Sequence, residues 1–357
     1  MRSSVAAFLA MWALSVSAAW GGPSAFMVEP VGGAQGNPRV GGSVVVWMQI
    51  FDGDWTVRGK DLATGTAFAI DEPNATELDP ITDGRLVVWR DNRGEGSGYD
   101  LFALDLHTGQ QRAVVDEPHS QVQHALGQNL LAWNDARNSP SHVPPEYGNH
   151  DIYALDLVTG EEFPVCTALW DQEDPAIDGN IIVWADYRRA NPILNPLISD
   201  IYGYDVTTGR EFLIASADDD VRQVKPDISG RIVVWADMHN GGDIWGHDLH
   251  ANTTFPICVN PFSQNDVAID GRYVVWEDYR NGVDQDIWGY DLLTGREFPI
   301  YLGPGDQGDP SISGDLVVWD SYTPGEDARI WGAYIPEPVT VLLLLTAAPL
   351  VLRRRTG

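Results

Sequence analysis

Residues 264–300 read QNDVAIDGRYVVWEDYRNGVDQDIWGYDLLTGREFPI, and nearly all of the chain is a variation on that unit. Aligning the copies on their tryptophan gives Trp47, Trp89, Trp133, Trp184, Trp235, Trp276 and Trp319, spaced 42, 44, 51, 51, 41 and 43 residues apart. A recurrence of about 40–50 residues marks a propeller, a solenoid or an array. Each unit holds four short strand signals separated by turn residues. In residues 264–300 these are an inner stretch ending in Asp270-Gly271, the Val-Val-Trp run, the run from Asp286 to Leu292, and a last stretch after Thr294-Gly295. No copy carries an apolar stripe at helical period. Four antiparallel strands repeated seven times, without helices, predict an all-β, seven-bladed propeller over residues 25–335.

The seventh copy stops after Ile330-Trp331-Gly332, before any fourth strand. The segment Ala25-Phe26-Met27-Val28 precedes Gln35 much as Glu162-Phe163-Pro164-Val165 precedes Gln172. It is therefore expected to be the outer strand of the last blade, closing the ring and covering its open edge. The blades are expected near 35–70, 77–115, 121–166, 172–215, 223–258, 264–301 and 307–335 with 25–28.

Residues 1–19 read as a signal peptide: Arg2, an apolar run, then Ser17-Ala18-Ala19 at a cleavage position. Residues 336–357 begin Pro336-Glu337-Pro338, continue through the apolar run 339–352 and end on Arg353-Arg354-Arg355. That run is short of the roughly 20 residues of a comfortable transmembrane helix. In order and content the segment resembles the PEP-CTERM sorting signal. The resemblance implies an exosortase as partner, a transient inner-membrane anchor, and delivery to the cell surface or extracellular matrix.

The net charge is −29, and removing both end segments, with four arginines and one glutamate, makes it −32. Such a body repels nucleic acid and anionic lipid. Cys166 and Cys258, in the outer strands of blades three and five, lie a blade apart and are expected to stay unpaired.

Several columns recur. The tryptophans are expected to pack between blades. Two residues on stand Asp91, Asp135, Asp186, Asp237 and Asp278, followed by Arg93, Arg137, Arg188, His239 and Arg280. With Asp100, Asp151, Asp200, Asp243 and Asp286 at the third strand, these suit ion pairs and loop caps, repeated as structure rather than needed once for catalysis. Clustered carboxylates also favour calcium, which would be the cofactor if there is one. Asp105, Asp156, Asp205 and Asp291 precede Thr-Gly turns and suit turn capping.

A polar column opens the inner strands, including Gln172, Gln223, Gln264 and Gln307. Two residues later stands another, including Asp174, Asp266 and Asp309. Strand period places both on one side, as two polar rings at the mouth of the central tunnel. Insertions 134–150 and 185–199 fall on that face in neighbouring blades, with Tyr147, Trp170, Asp171, Tyr187, Arg188 and Arg189 around them as a candidate binding face. His119, His124, His142 and His150 cluster in sequence near blade three and are candidate metal ligands, although their spacing matches no metal motif. No nucleophile elbow, phosphate-cradling glycine loop or Cys-x-x-Cys is present.

The unit x-Pro-x-Ile-x-Gly-x-x-Val-Val-Trp-x-Asp-x-Arg, with its later Asp-Ile-Tyr-Gly-Tyr-Asp-Leu-x-Thr-Gly, resembles TolB-like, WD40-like (PD40-type) propeller repeats over about residues 28–335. TolB itself has six blades and a preceding α/β domain, so the resemblance carries fold. Three functions are expected from these readings. The first is a non-enzymatic, monomeric surface propeller binding an envelope or matrix protein or polysaccharide. The second is a metal-dependent polysaccharide lyase, since oligogalacturonate lyases look similar in blade type and use histidines and a metal on one face. The third is a purely architectural matrix component.

Overall fold

The computed structural model describes residues 23–30, 32–51, 53–73, 75–93, 98–117, 119–139, 149–190, 198–216 and 221–336. Both end segments beyond Pro336 and before residue 23 lie outside these, as do His142, Tyr147 and the centres of the two insertions.

Seven four-stranded antiparallel sheets form a closed ring, in the order the repeats predict. Blade six runs Gln264–Asp270, Tyr273–Asp278, Asp286–Asp291 and Arg296–Tyr301 from the axis outward. Blade seven takes Asp306–Ser313, Leu316–Tyr322 and Arg329–Tyr334 from its own repeat, and Phe26–Met27 from the start of the chain. The expected closure is therefore formed. Phe26 pairs with Gly332 and Met27 with Trp331, and Val28 N–H continues the ladder to the Ile330 carbonyl at 2.9 Å.

The packing explains why Phe26 fits there. In blade six, a Cβ on Gly289 would lie 2.8 Å from the outer-strand Phe298 ring. In blade seven, a Cβ on Gly332 would lie 3.0 Å from Phe26. The glycine admits an aromatic ring directly over the third strand, and the amino-terminal segment supplies that ring just as a native outer strand does.

The core lies between blades rather than within one. Trp276 packs against Val234, Ala236 and Ile244 of blade five, and Trp47 against Val318 and Ile330 of blade seven across the closure. All seven column tryptophans are at most 2% exposed. Each deposits a large apolar ring where two sheets meet.

The Asp-x-Arg column ties this core to the blade edge. In blade six the Trp276 indole N–H donates to Asp278 Oδ2 at 2.8 Å. The Arg280 guanidinium reaches the same carboxylate, and Asp278 Oδ1 accepts from Arg280 N–H at 2.8 Å. The guanidinium then lies over the Trp288 ring, 3.7 Å from its centroid, and meets outer-strand Glu297 at 2.8 Å. Blades two, three and four repeat the arrangement with Arg93, Arg137 and Arg188 over Phe102, Tyr153 and Tyr202. The second carboxylate differs from expectation. In blades three, four and six it is Glu162, Glu211 or Glu297 from the outer strand, and in blade two it is Glu72, whereas third-strand Asp200 pairs with Arg189 and Asp286 with Asn281. The arginine bends outward over the aromatic ring toward the outer strand.

Cys166 and Cys258 are free and buried. Each sulfur accepts from the next blade's arginine, Arg188 at 3.2 Å and Arg280 at 3.3 Å. Burial pushes the Cys258 thiol up to about 11 and that of Cys166 further up, so neither is a thiolate at neutral pH.

One face of the ring carries the inter-blade loops and the loops between second and third strands. It is called the mouth face here. The opposite face carries the tight turns, where Asp156 Oδ1 accepts from Val158 and Thr159 N–H, as expected for turn capping. Ile335 N–H donates to Asp315 in the first turn of blade seven at 2.7 Å, so the described chain ends on this turn face.

Asp278→Ala leaves the Arg280 guanidinium and the Trp276 indole without their shared acceptor. It is expected to cost about 3 kcal/mol. Asp237→Ala in blade five, where His239 stands for the arginine, is expected to cost about 1 kcal/mol. Urea unfolding of the two variants measures the difference.

Candidate functional site at the channel mouth

The seven inner strands enclose a central channel of about 1570 Å³. Its lining carries eight aspartates, Asp79, Asp83, Asp174, Asp178, Asp227, Asp266, Asp270 and Asp309, against Arg39, Arg85 and Lys225.

The mouth is shaped by a backbone irregularity shared by all blades. Asn37, Asp79, Gln123, Asp174, Lys225, Asp266 and Asp309 have φ between 38° and 52°, and strand register slips at each. Five of the seven are Asn or Asp, whose short polar side chains tolerate the left-handed region. The bulge cancels the alternation that would put the preceding glutamines on the same side. Gln172, Gln223, Gln264 and Gln307 are accordingly buried and line no part of the channel, which corrects their expected place at the tunnel mouth. Gln172, Gln264 and Gln307 instead donate to carbonyls of their own inter-blade loops. Asp174, Asp266 and Asp309 do line the mouth.

The ring is stitched from blade to blade. Asn37 Nδ2 donates to Asp79 Oδ1 and Gln123 Nε2 to Asp174 Oδ1, both at 2.8 Å, and Lys225 Nζ meets Asp266. A second column, the residue after each tryptophan, stands behind it. Arg90 lies 2.6 Å from Asp79 as an ion pair, without hydrogen-bond alignment. Glu277 Oε1 accepts from Asp309 N–H at 2.7 Å, and Asp320 Oδ2 from Asn37 N–H at 3.4 Å. Sequence reading missed this column. Its signal was Arg90, Asn134, Glu277 and Asp320 interrupting strands that are otherwise apolar.

Asp266, Glu277 and Asp309 each offer a carboxylate oxygen within 4.8 Å of the others. It is the one such group among the described residues. Glu277 is 6% exposed, and burial, then the charge of Asp309, pushes its carboxyl up to about 7. The same causes raise Asp320 to about 6. Oxygen-only donors of this kind suit a hard cation such as calcium, manganese or magnesium.

The described histidines do not converge. His119 is exposed on the loop before blade three. His124 is buried in the channel wall with Nε2 3.4 Å from the Val88 carbonyl, and burial depresses it to about 4, so it is neutral. His150 Nδ1 lies 2.8 Å from Asp171 Oδ1, a contact that raises its pKa. On the rim, burial and then the charges of Asp174 and Asp171 push the Glu173 carboxyl up to about 7, with Tyr187 nearby. Arg188 belongs to its blade's ion-pair unit, Arg189 pairs with Asp200, and Trp170 is half-buried beside Asp171.

No protein-family model matches this sequence, and no curated protein does. Among solved structures the fold is similar to an oligogalacturonate lyase in complex with manganese, with TM-score 0.66 and 13% identity over 88% of this chain and 93% of that one. It is also similar to the oligogalacturonate lyase of Vibrio parahaemolyticus, with TM-score 0.64 and 13% identity over 88% of this chain and 94% of that one. The β-propeller domain of the Trilobed protease from Pyrococcus furiosus gives TM-score 0.65 and 13% identity over 85% and 96%. That domain has an open velcro topology, whereas here Phe26–Met27 closes the ring. At this identity the likeness establishes the propeller fold.

Glu77, Glu173 and Glu277 sit at about 7 against an ordinary 4.5, and Asp227 and Asp320 at about 6 against 3.8. Each keeps its proton in the folded chain where the unfolded chain has lost it. Stability therefore falls as pH rises through that window. The turn aspartates Asp156, Asp205 and Asp248 are lowered, so their contribution is present above 3.8 and lost as pH falls below it. The melting temperature without added cation is expected to be higher near pH 5 than at pH 8. A rise toward pH 8 in a thermal scan would contradict this.

Proposed function

We propose that the protein binds a carboxylate-bearing saccharide at the channel mouth through a divalent cation held by Asp266, Glu277 and Asp309. The observation that carries the reading is the buried Glu277, gathered with two further carboxylates on the mouth face. A cation there would hold Glu277 ionised at neutral pH. It would also let a chain of net charge −29 receive an anionic sugar, which its own field repels. The likeness to a lyase solved with manganese supports the choice of ligand class. Surface delivery by an exosortase acting at Pro336-Glu337-Pro338 belongs to the same proposal and rests on the pattern of the chain's ends.

A polysaccharide lyase is the second reading. It is favoured by the lyase likeness and by the Glu173–Tyr187 pair beside Asp174. Elimination needs a base to take the proton next to the uronate carboxylate and an acid to protonate the leaving oxygen. A carboxyl near 7 and a nearby phenol suit those roles. The bound cation would neutralise the uronate carboxylate and acidify that proton.

Calcium or manganese is expected to raise the melting temperature at pH 8, and Glu277→Gln or Asp309→Asn to abolish the shift. Lys225 places an ammonium on Asp266 and competes with the cation. Lys225→Met is therefore expected to tighten cation binding about tenfold, as removing one neighbouring positive charge would. Calorimetric titration measures both, and an unchanged affinity in all three variants would sink the site.

Incubation with polygalacturonate, followed by the ultraviolet absorbance of an unsaturated product, tests cleavage. Glu173→Gln and Tyr187→Phe are expected to stop cleavage while cation binding persists. Binding without product would leave the first reading standing alone.

A further inference from the structure

We infer that His119, Trp170 and Phe262 form an aromatic stacking track for an extended saccharide chain on the mouth face, separate from the carboxylate group. The inference rests on the saccharide reading above and extends it to residues that hold no cation.

The starting point is a backbone outlier that recurs. Two residues before the buried glutamine of the inner strand, His119, Trp170 and Phe262 have φ of 74°, 70° and 71°. Blade seven has Gly305 at the same place, with φ 85°. Glycine is the residue that conformation favours, and a bulky side chain there is a true outlier. The conformation itself has a local cause. The glutamine amide donates to the carbonyl of that residue, from Gln121 to His119 at 3.2 Å, Gln172 to Trp170 at 2.8 Å, Gln264 to Phe262 at 3.2 Å and Gln307 to Gly305 at 2.7 Å. The loop therefore needs a left-handed residue, and three blades carry an aromatic where glycine would be less strained. Strain retained in this way clusters at binding positions.

The rings are not there to fill the core. Phe262 is 56% exposed, resting edge-on against Tyr279 with centroids 6.2 Å apart, and His119 is exposed. Trp170 is half-buried beside the His150–Asp171 pair. All three stand on the loops leading into inner strands, hence on the face of the carboxylate ring.

The pattern selects a saccharide over a protein partner. The rings belong to blades three, four and six, so each is a separate flat platform rather than part of one apolar patch. Each platform has polar side chains beside it, Asp171 next to Trp170 and Ser263 next to Phe262. A pyranose presents an apolar face to a ring and hydroxyls to such neighbours. Platforms spread over several blades suit a chain of several sugars, not a single one.

Glycine substitution tests this directly, because glycine relieves the strain while deleting the ring. Trp170→Gly and Phe262→Gly are each expected to keep or raise the melting temperature. Each is expected to weaken binding of long polygalacturonate chains by about tenfold, the scale of one aromatic contact. Affinity for calcium and for monomeric galacturonate is expected to stay the same. Unchanged affinity for long chains overturns the inference. So does a lowered melting temperature, which would make the rings structural, and so does a wild-type protein that binds no saccharide. Repeating the titrations in chelator separates the two proposals. If chelator and Glu277→Gln leave binding intact while the glycine variants lose it, the cation reading fails and the aromatic track stands.

Discussion

A four-stranded sheet that is apolar on both faces cannot be stable by itself, and every other feature of this molecule follows from that constraint. Each blade must be covered on two sides, and the next copy of the same sequence is the cover. The tryptophan of the second strand makes the contact general, because one residue type at one register satisfies every junction, including that between blades one and seven. Closure then becomes obligatory. A ring lacking the outer strand of blade seven would expose the ladder of Arg329–Tyr334 and leave Gly332 bare. Two paired residues and one phenylalanine ring suffice, since the remaining contacts already exist.

Three sets of polar residues have different physical duties. The Asp-x-Arg units saturate buried donors at the blade edge and repeat because every edge needs them. Buried glutamines hold the loops between blades, and by doing so set the left-handed residues before them. The bulge residues at the mouth and the column behind them vary from blade to blade as the other two sets do not. Blades four and five have Ala185 and Ala236 where blade six has Glu277, and blade five has Lys225 where blades four and six have aspartate. That loss of symmetry is where a single site can arise in a seven-fold scaffold.

Much of the architecture was legible in the sequence because each signal was repeated seven times. The blade number, the tryptophan core and the closing role of Phe26 all came from comparing copies. The site was less legible, for physical reasons. The alternation of a strand is lost at a bulge, and nothing in Gln172-Glu173-Asp174 announces one, so the glutamines were placed on the wrong side. Glu277 stood unmarked between Trp276 and Asp278, where its depth depends on the neighbouring blade. Arg188 was expected to pair with Asp186 and Asp200, and the fold supplies Glu211 of the outer strand as its second carboxylate. The histidines, close in sequence, are carried to different depths by the loop and strand on which they stand.

The position of the chain's two ends sets an orientation. The closing strand rises from the turn face, and the last described residues return to it, with Ile335 held against Asp315. Both ends of the propeller therefore leave from the side opposite Asp266, Glu277 and Asp309. Whatever grips the polypeptide by either end becomes a stalk, and the mouth face points away from the attachment.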